Sequence, residues 1–191
     1  MVGPARICMA RLDLTGGRRL RYRVRPGAVV SDTTTLITLA RIGHLDLLRE
    51  LYEAVVIPRA VHQELALDSK RAGVDSLEQA LQEGWLVVHE VSSARSEAQL
   101  LMTLGSGEAQ AIALAEQLDA RALLLDDELA REAAATRGLP LARTLEIFVY
   151  AKARGLIGEV RSTLLQCERT GYRISPELLA ATLLAAGEAY G

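Results

Sequence analysis

Five carboxylates in this 191-residue chain stand where acids could do chemistry together. Asp32 follows the short apolar run "AVVS", and Asp126-Asp127 follow "ARALLL". Glu64 ("VHQEL") and Glu108 ("GEAQAIALA") interrupt apolar stripes at helical spacing, with Val61 and Leu65 beside the first and Ile112 one turn beyond the second. Taken singly, each has an ordinary explanation. Asp32 and Asp126-Asp127 suit helix caps, Glu108 suits the positive end of a helix dipole, and Glu64 suits a solvated helix face. Taken together they ask for more. Open parallel sheets bind ligands at the carboxyl ends of their strands, and two apolar runs end there in acids. Carboxylates gathered at such an edge repel one another unless a cation joins them. Hard oxygen donors suit Mg²⁺ or Mn²⁺. A divalent ion held this way activates water and stabilises the leaving oxygen in phosphodiester hydrolysis.

The elements that must position these acids are legible from Ala28 onward. "AVVS", "AVVIP", "WLVVHEV", "ARALLLDD" and "LPLAR" read as five short buried strands. Between them, "TTTLITLARIG", "HLDLLRELY", "PRAVHQELAL", "DSLEQALQEG", "RSEAQLLMTLG", "GEAQAIALAEQL" and "ELAREAAATRG" carry helical spacing, and Gly43, Gly84 and Gly138 stop three of them. Pro58 opens its helix at the position where a missing N–H costs nothing. Three further helices close the chain: "TLEIFVYAKARGLI", "VRSTLLQCERTG" and "SPELLAATLLAAG". Strand–helix alternation repeated five times predicts an α/β fold with a parallel sheet of four or five strands and helices on both faces. The composition agrees. Half the residues are hydrophobic but only 4% are aromatic, so the core is built from Leu, Ala, Val and Ile.

The charge is divided unevenly. Residues 1–27 hold seven arginines and one acid, a net +6; the rest holds fifteen basic and twenty-three acidic residues, a net −8. A body this acidic binds a polyanion only with the help of metal ions or a local basic patch. The first 27 residues read as a basic extension ahead of a domain spanning 28–191. Three readings stay open for it: a short hairpin around Gly16-Gly17, a disordered arm, or an overlong start with the natural one nearer Val29. There is no apolar run of membrane-spanning length and no signal-peptide pattern, which points to the cytoplasm. Cys8 and Cys167 form no metal spacing and read as free thiols.

Several motifs carry no chemistry. His44, His62 and His89 lack metal-ligand spacing. Gly105-Ser106-Gly107 is too short and wrongly placed for a phosphate loop. Ser31 has no nucleophile elbow around it. "SDTTT" has Thr34 where a phosphatase-type loop carries its second aspartate.

In order along the chain, "VVSDTTTLITLARIG", "VVIPRAVHQEL", "GSGEAQAIALA" and "ALLLDDELAREAAATRG" resemble a PIN domain, most closely the prokaryotic nucleases related to toxins of toxin–antitoxin pairs. The resemblance covers about residues 28–160, and the tail "GYRISPELLAATLLAAGE" is also typical of that branch. It implies catalytic acids at Asp32, Glu64, Glu108, Asp126 and Asp127. It implies Mg²⁺ or Mn²⁺ held by Asp32, Glu64, Glu108 and Asp127 or Asp126, with Thr33 and Thr34 in support. The third acid is Glu where the toxins often have Asp, and the basic extension is a second departure.

The activity so implied is metal-dependent endoribonuclease cleavage of RNA, with a toxin role. The alternative is a PIN-like binding module that no longer cuts. A DNA nuclease ranks below both, since no long insertion is present to thread a DNA flap. The apolar late helices, "SPELLAATLLAAG" above all, predict a homodimer, and a small antitoxin protein is a further partner by resemblance.

Overall fold

The computed structural model describes residues 27–65, 67, 71–92 and 94–189. The three readings of residues 1–26, and Cys8, fall outside the described residues.

The strands are β1 (Val29–Ser31), β2 (Val55–Pro58), β3 (Leu86–His89), β4 (Ala122–Leu124) and β5 (Leu141–Ala142). All neighbours pair in parallel, in the order β3-β2-β1-β4-β5. Val30 sits opposite Val56 on one side and Leu123 on the other, so β1 is the central strand. Parallel neighbours need long crossovers, and helices supply them. Between β1 and β2 run α1 (Thr33–Arg41) and α2 (Asp46–Tyr52); between β2 and β3, α3 (Arg59–Glu64) and α4 (Val74–Gln82). Then come α5 (Ala94–Leu100), α6 (Ser106–Gln117) and α7 (Glu128–Ala135), and after β5, α8 (Thr144–Ala153), α9 (Val160–Arg169) and α10 (Pro176–Ala185). The predicted parallel sheet of four or five strands flanked by helices is observed, with five strands.

Period-two alternation divides the strand residues between two cores. Val29, Val55, Ile57 and Leu124 face the layer built from α1, α2, α4, α8 and α9. Val30, Val56, Leu123 and Leu125 face α6 and α7. A strand buried on both faces must be apolar at every position, which is why these runs show no polar alternation. In α6, Ala109, Ala111, Ala113 and Ala115 are fully buried. Side chains this short let the helix lie close against the sheet.

Two expectations change in detail. The periodicity extends the third helix through Leu67, but α3 ends at Glu64 and Leu65 turns into the core. Its Pro58 closes β2 as the helix N-cap instead of opening the first turn. The last helix also covers more of itself than its composition suggests. Leu183 is buried and Leu178 and Leu179 pack on the core, leaving Leu184 as its exposed large residue. Leu184 is the large apolar side chain that this helix offers to a partner.

Chain order runs outward from β1 to β2 and β3, then returns to β4 on the other side of β1. The reversal places a crevice between the carboxyl ends of β1 and β4, and Asp32 and Asp126 are the residues that emerge there.

Candidate active site

Asp32 leaves β1 and caps α1: its Oδ1 accepts the Thr35 N–H at 2.9 Å. An ordinary cap is exposed, but this one is 2% exposed. The buried carboxyl faces Asp126 from β4. Burial pushes its pKa up to about 7, and the Asp126 charge adds to the rise. Hydrogen bonds from the Thr35 N–H and hydroxyl and from the Asp126 N–H oppose the rise without cancelling it.

Of the two adjacent aspartates, the structure separates the roles. Asp127 is exposed and caps α7, its Oδ1 accepting the Ala130 N–H at 2.9 Å. Asp126 points the other way. Its Oδ1 accepts the Thr144 N–H at 2.9 Å and its Oδ2 the Thr144 hydroxyl at 2.5 Å. The Thr144 and Thr35 hydroxyl oxygens lie 3.1 Å apart, both residues fully buried. A polar network thus joins the ends of β1, β4 and β5 and fixes the two acids relative to each other.

Glu64, last in α3, takes three donors: the Thr33 hydroxyl at 2.5 Å, the Ser106 hydroxyl at 3.0 Å and the Gly107 N–H at 2.8 Å. Thr33 follows Asp32 directly, so Glu64 stands next to the pair without joining it. A Cβ on Gly107 would fall 2.8 Å from Glu64 Cδ, so a larger residue there would push the end of that side chain aside. Glu108, third residue of α6, folds back toward Gly105, where a Cβ would fall 2.5 Å from its Oε2. Thr34 is exposed, and no hydrogen bond of its side chain is found among the described residues.

The five predicted acids therefore do not form one cluster. Asp32 and Asp126 face each other, Glu64 adjoins them through Thr33, Glu108 lies at the start of α6, and Asp127 caps a helix. Among the described residues no group of three or more His, Cys, Asp or Glu side chains is placed to hold a metal ion. Two carboxylates suffice for Mg²⁺, which keeps several waters and commonly binds through one or two protein acids plus substrate phosphate. The pair, hard in its donors and mutually repelling, with Asp32 buried and Asp126 half-buried, fits such an ion.

Nearby groups feel the same acids. Cys167 in α9 is pushed up to about 12, by burial first and Asp126 second. Tyr172, in the turn between α9 and α10, is driven well above the ordinary phenol range by burial, by the charge of Asp126 and by a hydrogen bond with it. Sequence reasoning missed Thr35, Thr144 and Tyr172. A signal existed for Thr144, since it comes two residues after the fifth strand, as Asp126 does after the fourth. A cavity of about 260 Å³ lies between α1, α2 and α4 beside Trp85, and none of these acids lines it.

A five-stranded parallel sheet with acids at its topological switch point defines an α/β protein with a carboxylate-based site. A family model described as a PIN domain matches residues 28–188. The chain belongs to the PIN-domain family. PIN domains are generally nucleases, so nucleic acid is the substrate class. No curated protein matches the chain.

Proposed function

We propose that this PIN domain is a divalent-metal-dependent endoribonuclease that hydrolyses RNA, acting in the cytoplasm as the toxin of a toxin–antitoxin pair. The observation that carries the nuclease reading is buried Asp32 beside half-buried Asp126 at the β1/β4 switch point. Asp32 and Asp126 would hold Mg²⁺ or Mn²⁺, with Glu64, Glu108 and Asp127 as the surrounding acids. When bound, such an ion supplies a hydroxide near neutral pH and charge stabilisation at the phosphoryl oxygens.

The chain's own residues prepare the site. Thr144 orients Asp126 through both of its oxygens, and the Thr35 N–H orients Asp32. Burial keeps water from screening Asp32, which strengthens its electrostatic reach. Thr33, Ser106 and the Gly107 N–H hold Glu64 where its carboxylate can order the attacking water. Thr34 is left to the approach of substrate. Among the described residues no helix is long and apolar enough to cross a membrane. A small antitoxin protein and a second copy of the chain are the proposed protein partners.

A second reading, a silent PIN-like binding module, is favoured by one observation: both Asp126 oxygens already accept hydrogen bonds. One assay separates the two. Wild type should cleave labelled RNA with Mg²⁺ or Mn²⁺ and not with EDTA, and Asp32→Asn or Asp126→Asn should abolish the cleavage. RNA left intact by the wild type, or cut equally by the variants, would reject the nuclease reading.

A further inference from the structure

Two arginines grip consecutive carbonyls at the end of β4, beside Asp126. Arg131 in α7 donates from Nη1 to the Leu125 carbonyl at 2.8 Å. Arg143, just before α8, donates from Nη1 to the Asp126 carbonyl at 3.4 Å and from Nη2 to Glu128 Oε2 at 2.7 Å. Both guanidiniums are partly buried, Arg143 with a side chain 22% exposed. Burial first, then the charge of Arg143, disfavours the charged form of Arg131. Glu146, Glu128 and Asp126 offset this only in part. No ion pair within 4.0 Å of Arg131 is found among the described residues, and the Glu128 partner of Arg143 is itself 69% exposed. An exposed ion pair is weak and exchanges readily. Converging, partly desolvated guanidiniums with donors to spare are a cation pair that an anion would stabilise. Their planar forks match the two free oxygens of a phosphodiester. This is also a local basic patch of the kind the acidic body needs before it can accept a polyanion.

We propose that Arg131 and Arg143 form a phosphodiester-binding site that seats the RNA backbone beside the acid pair, an assignment that rests on the nuclease reading for its choice of RNA. The acids and the arginines divide the work: one set is placed for a cation, the other for the anion that it acts on. Contacts to phosphate carry no sequence information, so the site sets affinity and register and not base preference.

The test is fluorescence anisotropy of a labelled short oligoadenylate with the full chain carrying Asp32→Asn, which prevents cleavage on the proposed reading. Affinity is followed across a potassium chloride series. The arginines of residues 1–27 contribute equally to every variant. Arg131→Met and Arg143→Met should each weaken binding on the order of tenfold, the loss of one charge-assisted contact. Each should also flatten the log–log salt dependence by ~0.7, the single-strand value per phosphate contact. Arg131→Lys should keep the slope, which separates lost charge from lost folding. Arg121→Met, at the opposite end of β4, should change neither quantity. Unchanged affinity and slope in folded Arg131→Met and Arg143→Met would overturn the proposal, and so would a parent protein that does not bind the oligonucleotide. Arginine-dependent binding with no metal-dependent cleavage by the wild type would keep this site and reject the nuclease. Cleavage with arginine-independent binding would do the reverse.

Discussion

Replacing Asp32 by asparagine removes one charge from the buried pair and keeps the helix cap, since Asn caps about as well as Asp. The consequence depends on pH in a way the burial dictates. An unfolded chain releases the Asp32 proton near 3.8, whereas the folded protein holds it to about 7. Between those values the native state binds more protons than the unfolded state, so wild-type stability falls as pH rises and levels off above pH 7. Each pH unit inside that window is worth about 1.4 kcal/mol. From pH 5 to pH 8 the loss is therefore on the order of 3 kcal/mol, because only the span up to 7 counts. Asparagine does not titrate and escapes the loss. In metal-free thermal melts Asp32→Asn should gain on the wild type between pH 5 and pH 8 by about 6–12 °C, at ~2–4 °C per kcal/mol for a chain this size. Adding Mn²⁺ at pH 8 should then raise the wild type, by about 2.7 kcal/mol at a hundredfold excess over its dissociation constant, and leave Asp32→Asn unmoved. A melting difference that does not change with pH would refute the buried-pair argument. An equal Mn²⁺ response in both proteins would refute the metal assignment.

Three further outcomes follow from particular contacts. Thr144→Val leaves Asp126 Oδ2 without its buried donor, which should cost ~1–3 kcal/mol in a urea titration and lower RNA cleavage, with Thr144→Ser restoring both. Gly107→Ala pushes only the far end of Glu64 and improves helix propensity by ~0.8–1 kcal/mol. It should leave the melting temperature within a few degrees while cleavage falls on the order of 10²-fold, as for a displaced reacting group. Phe148, fully buried against His44 at 6.5 Å between ring centroids, anchors α8 on the sheet. Phe148→Ala should lose ~3–5 kcal/mol, visible as a shifted denaturant midpoint.

Chain-local patterns were enough for the architecture. Apolar runs of strand length, helical spacing between them and glycine stops predict four or five parallel strands and both helical layers, because each signal depends on residues within one turn or one strand. The same locality brought out Asp32 and Asp126-Asp127, since the end of a buried strand is visible in the sequence. It failed where the answer depends on residues far apart. Asp126 and Asp127 are equivalent as neighbours in a sequence. The fold distinguishes them because consecutive residues leaving a strand point to different sides, and only one side meets Thr144 at the start of α8. Thr35 and Thr144 read as ordinary first-turn threonines until packing brings hydroxyls 109 residues apart in the chain within 3.1 Å. Gly107 reads as a helix breaker, yet its missing Cβ is what admits Glu64. The charge state of Asp32 is the furthest from the sequence. Any aspartate can cap a helix, but only a chain folded over it, with a second acid facing it, removes the water that keeps such a carboxyl near its usual value.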